Sequence, residues 1–112
     1  MQMRSMSTYK DHLKSLKQPY ERVAALECYG ESDSPAFIIE NQPDDQGALA
    51  IYYEVAVKHG GLTPQAAEEA LVLFAEYAEQ ARTSPGRYKD IDRLFLIIEQ
   101  DLFYSVKAIP NT

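Results

Sequence analysis

Between residues 46 and 100 the apolar positions recur at helical spacing, and two turns divide the stretch into three. The turns are Gly60-Gly61-Leu62-Thr63-Pro64 and Thr83-Ser84-Pro85-Gly86. Each joins a stop for one helix to a start for the next. Glycine accepts the left-handed backbone at a helix end, and proline suits the first helical position, where a missing N–H costs nothing. The spacing predicts helices over about 46–59, 64–82 and 90–101. From Ala48 to Val57 only Glu54 is charged, which marks a central, buried helix. The same segment alternates like a strand through Leu49, Ile51, Tyr53, Val55 and Val57, but its length and the glycine pair favour helix. The second helix turns Ala67, Ala70, Leu71, Phe74, Ala78 and Ala81 to one side. Glu68, Glu69, Glu76 and Glu79 lie largely off that stripe. In the third, Ile91, Leu94, Phe95, Ile98 and Leu102 form an inner stripe, and Leu96 and Ile97 widen the apolar surface beyond one face.

Outside this region the period changes to two. Ala24, Leu26 and Cys28 alternate with Glu27 and Tyr29, and a turn at Gly30–Pro35 leads to Phe37-Ile38-Ile39. Residues 22–40 are therefore predicted to form a β-hairpin. Residues 103–109 alternate again, with Tyr104 and Val106 opposite Ser105 and Lys107, and are expected to join it as a third antiparallel strand. A short N-terminal helix, capped by Ser7 or Thr8, ends before Pro19. Caps for the later helices are expected at Asp44 or Asp45, at Thr63, and at Asp90. A sheet this small needs helices over one face. The expected fold class is α+β: a small antiparallel sheet (hairpin 22–40 plus strand 103–109) packed against three helices, in a single domain spanning 1–112.

The 112 residues carry a formal net charge of −6, which disfavours a nucleic-acid partner. The charge is uneven. Arg4, Lys10, Lys14 and Lys17 against Asp11 make residues 1–17 a +3 segment, leaving −9 on the rest. Cys28 is the single cysteine, so no internal disulfide forms, in keeping with a reducing compartment. Met1–Met6 lacks the apolar core of a signal peptide, and no apolar run approaches the roughly 20 residues of a membrane span. The expectation is a cytoplasmic protein without a membrane anchor.

Gly47-Ala48-Leu49, Gly60-Gly61, Leu73-Phe74-Ala75-Glu76, Pro85-Gly86 and Ile91-Asp92-Arg93-Leu94 occur in that order and spacing. Together they resemble a family of small uncharacterised bacterial proteins, a domain of unknown function, over roughly residues 46–109. The resemblance implies a bacterial origin and a stand-alone domain. It assigns no activity and no role to any residue.

The chemistry-bearing residues are sparse. His12 and His59 have no second His or Cys at ligand spacing, so no metal site is expected. His59 closes a helix, where its charge suits the dipole. Cys28 lies on the inward side of a strand, where a thiol is inert. Glu68 with Glu69, Asp44 with Asp45, and Asp90 with Asp92 all sit near helix starts, and dipole stabilisation accounts for them. No phosphate-binding glycine loop is present, and no cofactor is implied. Arg82, Arg87, Tyr88, Lys89 and Arg93 form a basic cluster in an acidic chain. It could recognise a carboxylate, a phosphate or the acidic face of a second subunit; the plainer account pairs Arg93 with Asp90 and Arg82 with Glu79. The eight tyrosines, among them Tyr52, Tyr53, Tyr77, Tyr88 and Tyr104, suit a cavity wall or a contact surface as well as a core.

Two functional readings follow. The first is a non-enzymatic binding or assembly module that forms a homodimer through apolar surface at Leu96 and Ile97. The second is a small-molecule or anion-binding protein, with or without enzymatic activity. Its site near the helix ends would gather Tyr53, His59, Glu76, Asp92 and Arg93.

Overall fold

The computed structural model describes residues 8–111. Met1–Met6, Arg4 and the alternative cap Ser7 lie outside the described residues. Helix α1 (Tyr9–Ser15) opens on a capping box: Thr8 accepts from the Asp11 amide, and Asp11 returns the bond to the Thr8 amide. After a short 3-10 turn at Tyr20–Arg22 come β1 (Val23–Tyr29) and β2 (Phe37–Glu40). Helices α2 (Gln46–His59), α3 (Pro64–Phe74), α4 (Glu76–Thr83) and α5 (Lys89–Glu99) follow, and β3 (Ser105–Pro110) is the last element among the described residues.

The sheet order is β2-β1-β3, antiparallel throughout. Cys28 faces Phe37 on one side and Val106 on the other. The expected α+β arrangement is therefore present, with one change in β1. A bulge between Val23 and Ala25 shifts the register, so Val23 joins Leu26 and Cys28 in the core and Ala24 is only half-buried. Strict alternation does not anticipate an extra residue.

Helix α2 is the centre of the core. Leu49, Ile51, Tyr52 and Val55 are all fully buried. Burying one such aliphatic side chain contributes roughly 1.5–3 kcal/mol. The segment 46–59 is helix and not strand, and it ends on Gly60 in the left-handed region at φ 75°. At Gly61, φ 139°, a Cβ would lie 2.6 Å from the Phe103 ring, so the chain needs glycine to pass beneath it. Leu62 then bridges to Tyr104 through paired backbone hydrogen bonds. Thr63 caps α3 by accepting from the Ala66 amide at 3.0 Å, with Pro64 in the first turn.

The predicted helix 64–82 is broken in two. Ala75 takes φ 55° and ψ −119°, its amide bonds back to Leu71 and Val72, and α4 restarts at Glu76. Alanine favours helix, so nothing in local propensity marks the break. The predicted stripe nonetheless holds, since Ala67, Ala70, Leu71, Phe74, Ala78 and Ala81 are all buried.

On α5 the buried stripe is Ile91, Leu94 and Ile97. Phe95 and Ile98 lie on its flank, half-buried. Asp90 is not the cap: that position is Tyr88, and Asp90 sits inside the first turn.

Candidate functional site

The five residues expected to share a site have separate partners. Tyr53 is half-buried against the core. His59 Nε2 donates to Glu69 at 2.9 Å, beside a Lys58–Glu69 pair at 3.1 Å. Those contacts hold the Glu69 carboxyl below its usual range, chiefly through the His59 bond. Glu76 accepts the Tyr9 amide at 3.0 Å and so fixes the start of α1. Asp92 accepts the Gly86 amide at 2.8 Å and closes the loop before α5. Arg93 donates to Asp90 at 2.9 Å and to the Tyr52 hydroxyl at 3.2 Å. Among the described residues no hydrogen bond or ion pair joins any two of the five. Of the two positions expected to meet a partner, Leu96 is 45 % exposed, but Ile97 is fully buried and unavailable in the folded chain. The apolar run 94–98 hid which member turns inward.

Arg93 instead ties three elements together. Its guanidinium lies 3.8 Å from the centre of the Phe37 ring, and Tyr52 donates to the Asp90 carbonyl at 2.5 Å. Burial pushes the Tyr52 hydroxyl above its ordinary range and the Cys28 thiol up to about 12. Cys28 is thus a core side chain, neutral at physiological pH and unsuited to attack.

Two concave surfaces stand out among the described residues. The first is an open groove of about 1370 Å³ between α1, α3, α4 and α5. Leu71, Val72, Ala78, Phe95 and Ile98 supply its apolar surface, and Val72 is 66 % exposed. Glu68, Glu76 and Glu79 stand along it, with Arg82 pairing to Glu79 and lying 5.3 Å from the centre of the Phe95 ring. The break at Ala75 shapes this groove and seats α1 beside it. In an unbroken helix the Leu73 carbonyl would accept from the Tyr77 amide. Here it meets His12 Nδ1 at 3.0 Å. A carbonyl only accepts, so the proton sits on Nδ1.

The second is a narrower cleft of about 500 Å³ where α2 and α5 begin. Its aromatic wall is Tyr9, Tyr77 and Tyr88, packed edge to face at 4.9 and 5.7 Å. Tyr9 reaches it only because residue 47 is glycine. A Cβ there would fall 1.6 Å from the Tyr9 hydroxyl oxygen. Asp44 and Asp45 line one part of the cleft, Arg87 and Lys89 another. Neither α2 nor α5 receives a side-chain cap from its N-cap residue. The basic cluster 82–93 pointed towards this place. Tyr9, from a short helix 37 residues before α2, carried no such signal.

Fold and surfaces together define a small α+β domain with an apolar groove and an aromatic cleft. Among the described residues no group of three or more His, Cys, Asp or Glu is arranged to hold a metal ion, and no helix is long and apolar enough to cross a membrane. The chain belongs to the family described as uncharacterized protein conserved in bacteria (DUF2322), which matches residues 9–108. The match runs back through the sheet to α1, beyond the stretch 46–109 whose turns resembled the family. No curated protein and no solved structure matches the chain.

Proposed function

We propose that this protein is a non-enzymatic assembly module that pairs with a second copy of itself through the groove between α3, α4 and α5. The observation carrying this reading is Val72, the most exposed large apolar side chain among the described residues, placed in an apolar groove with acidic residues along it. Charge complementarity supports a second copy as the occupant. Lys10, Lys14 and Lys17 are exposed on and just after α1 and have no ion-pair partner among the described residues. In a two-fold pair the lysines of one copy can face Glu68 and Glu79 of the other, and the reverse contact forms by symmetry. Leu96 lies on α5 outside the groove and serves as a control.

Sedimentation equilibrium of the full chain tests this. The expected result is a concentration-dependent dimer that weakens with salt and is lost in Val72→Asp, while Leu96→Asp still dimerises. A monomer at every concentration up to about 1 mM, where even a weak contact of about 4 kcal/mol registers, rejects the reading.

A further inference from the structure

The cleft where α2 and α5 begin has features that self-association does not use. Its volume, about 500 Å³, falls within the range of small-ligand sites, roughly 300–1,000 Å³. Aromatic rings form its wall, and Phe74, Ile91 and Ala48 add apolar surface. The Tyr9 and Tyr77 hydroxyls have no hydrogen-bond partner among the described residues. Tyr88 is already engaged, donating to Gln80 at 2.6 Å.

The charges decide what kind of molecule suits this place. Asp44 and Asp45 belong to the approach to α2, Arg87 to the approach to α5, and Lys89 is the first residue of α5. None of the four forms an ion pair within 4.0 Å among the described residues. Asp90, which also lines the cleft, is neutralised by Arg93. A simple anion would be attracted by Arg87 and Lys89 but repelled by the two aspartates. A simple cation meets the opposite conflict. A molecule bearing one charge of each sign satisfies both sides, and the rings then ask for a flat apolar body between them.

We infer that this cleft binds a small zwitterion with an aromatic body, of the chemical class of the aromatic amino acids. The ammonium group faces Asp44 and Asp45. The carboxylate faces Arg87 and Lys89, where the free amides at the start of α5 add donors of the right sign. The ring packs against Tyr77 and Tyr88. Arg87 already lies 5.2 Å from the centre of the Tyr88 ring, so the cationic side of the cleft is held next to its aromatic wall.

Three probes test this by amide chemical-shift titration of the full chain. L-Phenylalanine carries both charges, 3-phenylpropanoate lacks the ammonium group, and phenethylamine lacks the carboxylate. L-Phenylalanine is expected to move the amides of Ala48, Tyr77 and Tyr88–Ile91, with each single-charge probe at least about tenfold weaker, as one lost charge contact requires. Asp44→Lys and Arg87→Glu alter exposed side chains and leave the core intact. Each should weaken L-phenylalanine about fivefold or more, and Asp44→Lys should strengthen 3-phenylpropanoate. Three outcomes overturn the inference: no movement at the cleft, equal binding of all three probes, or unchanged L-phenylalanine binding in both variants. Val72→Asp, which blocks the proposed pairing, leaves L-phenylalanine binding unchanged if the two surfaces are independent.

Discussion

Replacing Ala75 by glycine separates two accounts of the helix between Thr63 and Ser84 by the sign of one number. At φ 55° and ψ −119° an alanine methyl is strained, at a cost of roughly 1–3 kcal/mol. Glycine removes that strain. It also loosens the unfolded chain, at a cost of roughly 0.4–1 kcal/mol. The balance is a stabilisation of about 1 kcal/mol. Were residues 64–82 one continuous helix, the same change would place glycine in a helix interior and destabilise by about 1 kcal/mol. The unfolding entropy, about 2.1 cal/mol/K per residue, amounts to roughly 0.24 kcal/mol/K over 112 residues. Ala75→Gly should therefore raise Tm by about 4 °C, and a continuous helix would lower it by about as much. Thermal and urea unfolding are the assays, with an unchanged urea dependence confirming that the same surface is exposed. A fall in Tm would refute the strain argument and with it the shape of the groove.

Tyr52→Phe removes a donor that is fully buried and leaves the Asp90 carbonyl and Arg93 short of a partner. Urea unfolding should show a loss of about 1–3 kcal/mol, and a change below about 0.5 kcal/mol would mean that the cluster contributes little. Glu69 has a lowered folded-state pKa, so its contribution is fully present above the ordinary carboxylate range and is lost as pH falls through that lowered value. Glu69→Gln should lower stability at neutral pH and flatten its decline in acid; unfolding midpoints taken from about pH 7 down to about pH 3 check this, and an unaltered acid slope contradicts it.

The legible parts of the fold were those where local chemistry and tertiary packing agree. Gly60 and the Thr63-Pro64 pair stop and start helices by their own backbone preferences, and both did so at the predicted positions. The central helix was readable because a segment with one charge in ten residues has to be buried. Two features depended on distant partners and left no local trace. Ala75 breaks a helix that its own propensity would continue, and the break is held by α1 through His12 and Tyr9. The run Leu94–Ile98 is apolar all round, so only packing against α3 decides that Ile97 enters the core and Leu96 does not. The same holds for the surfaces. The basic residues near 87 and 89 stood out against an acidic chain, whereas the tyrosine wall joins Tyr77 and Tyr88, from α4 and the start of α5, to Tyr9 of α1, which is far away in sequence.

The Leu73 oxygen and the His12 ring make two parts of the chain answerable to each other. A carbonyl deprived of its usual neighbour is a vacancy that one imidazole fills, so mending the helix would evict its N-terminal neighbour and detaching that neighbour would strand the carbonyl. Changes on one side of this joint are therefore expected to require matching changes on the other. The first helix, though short and lacking any buried residue, is a structural component and not a tail.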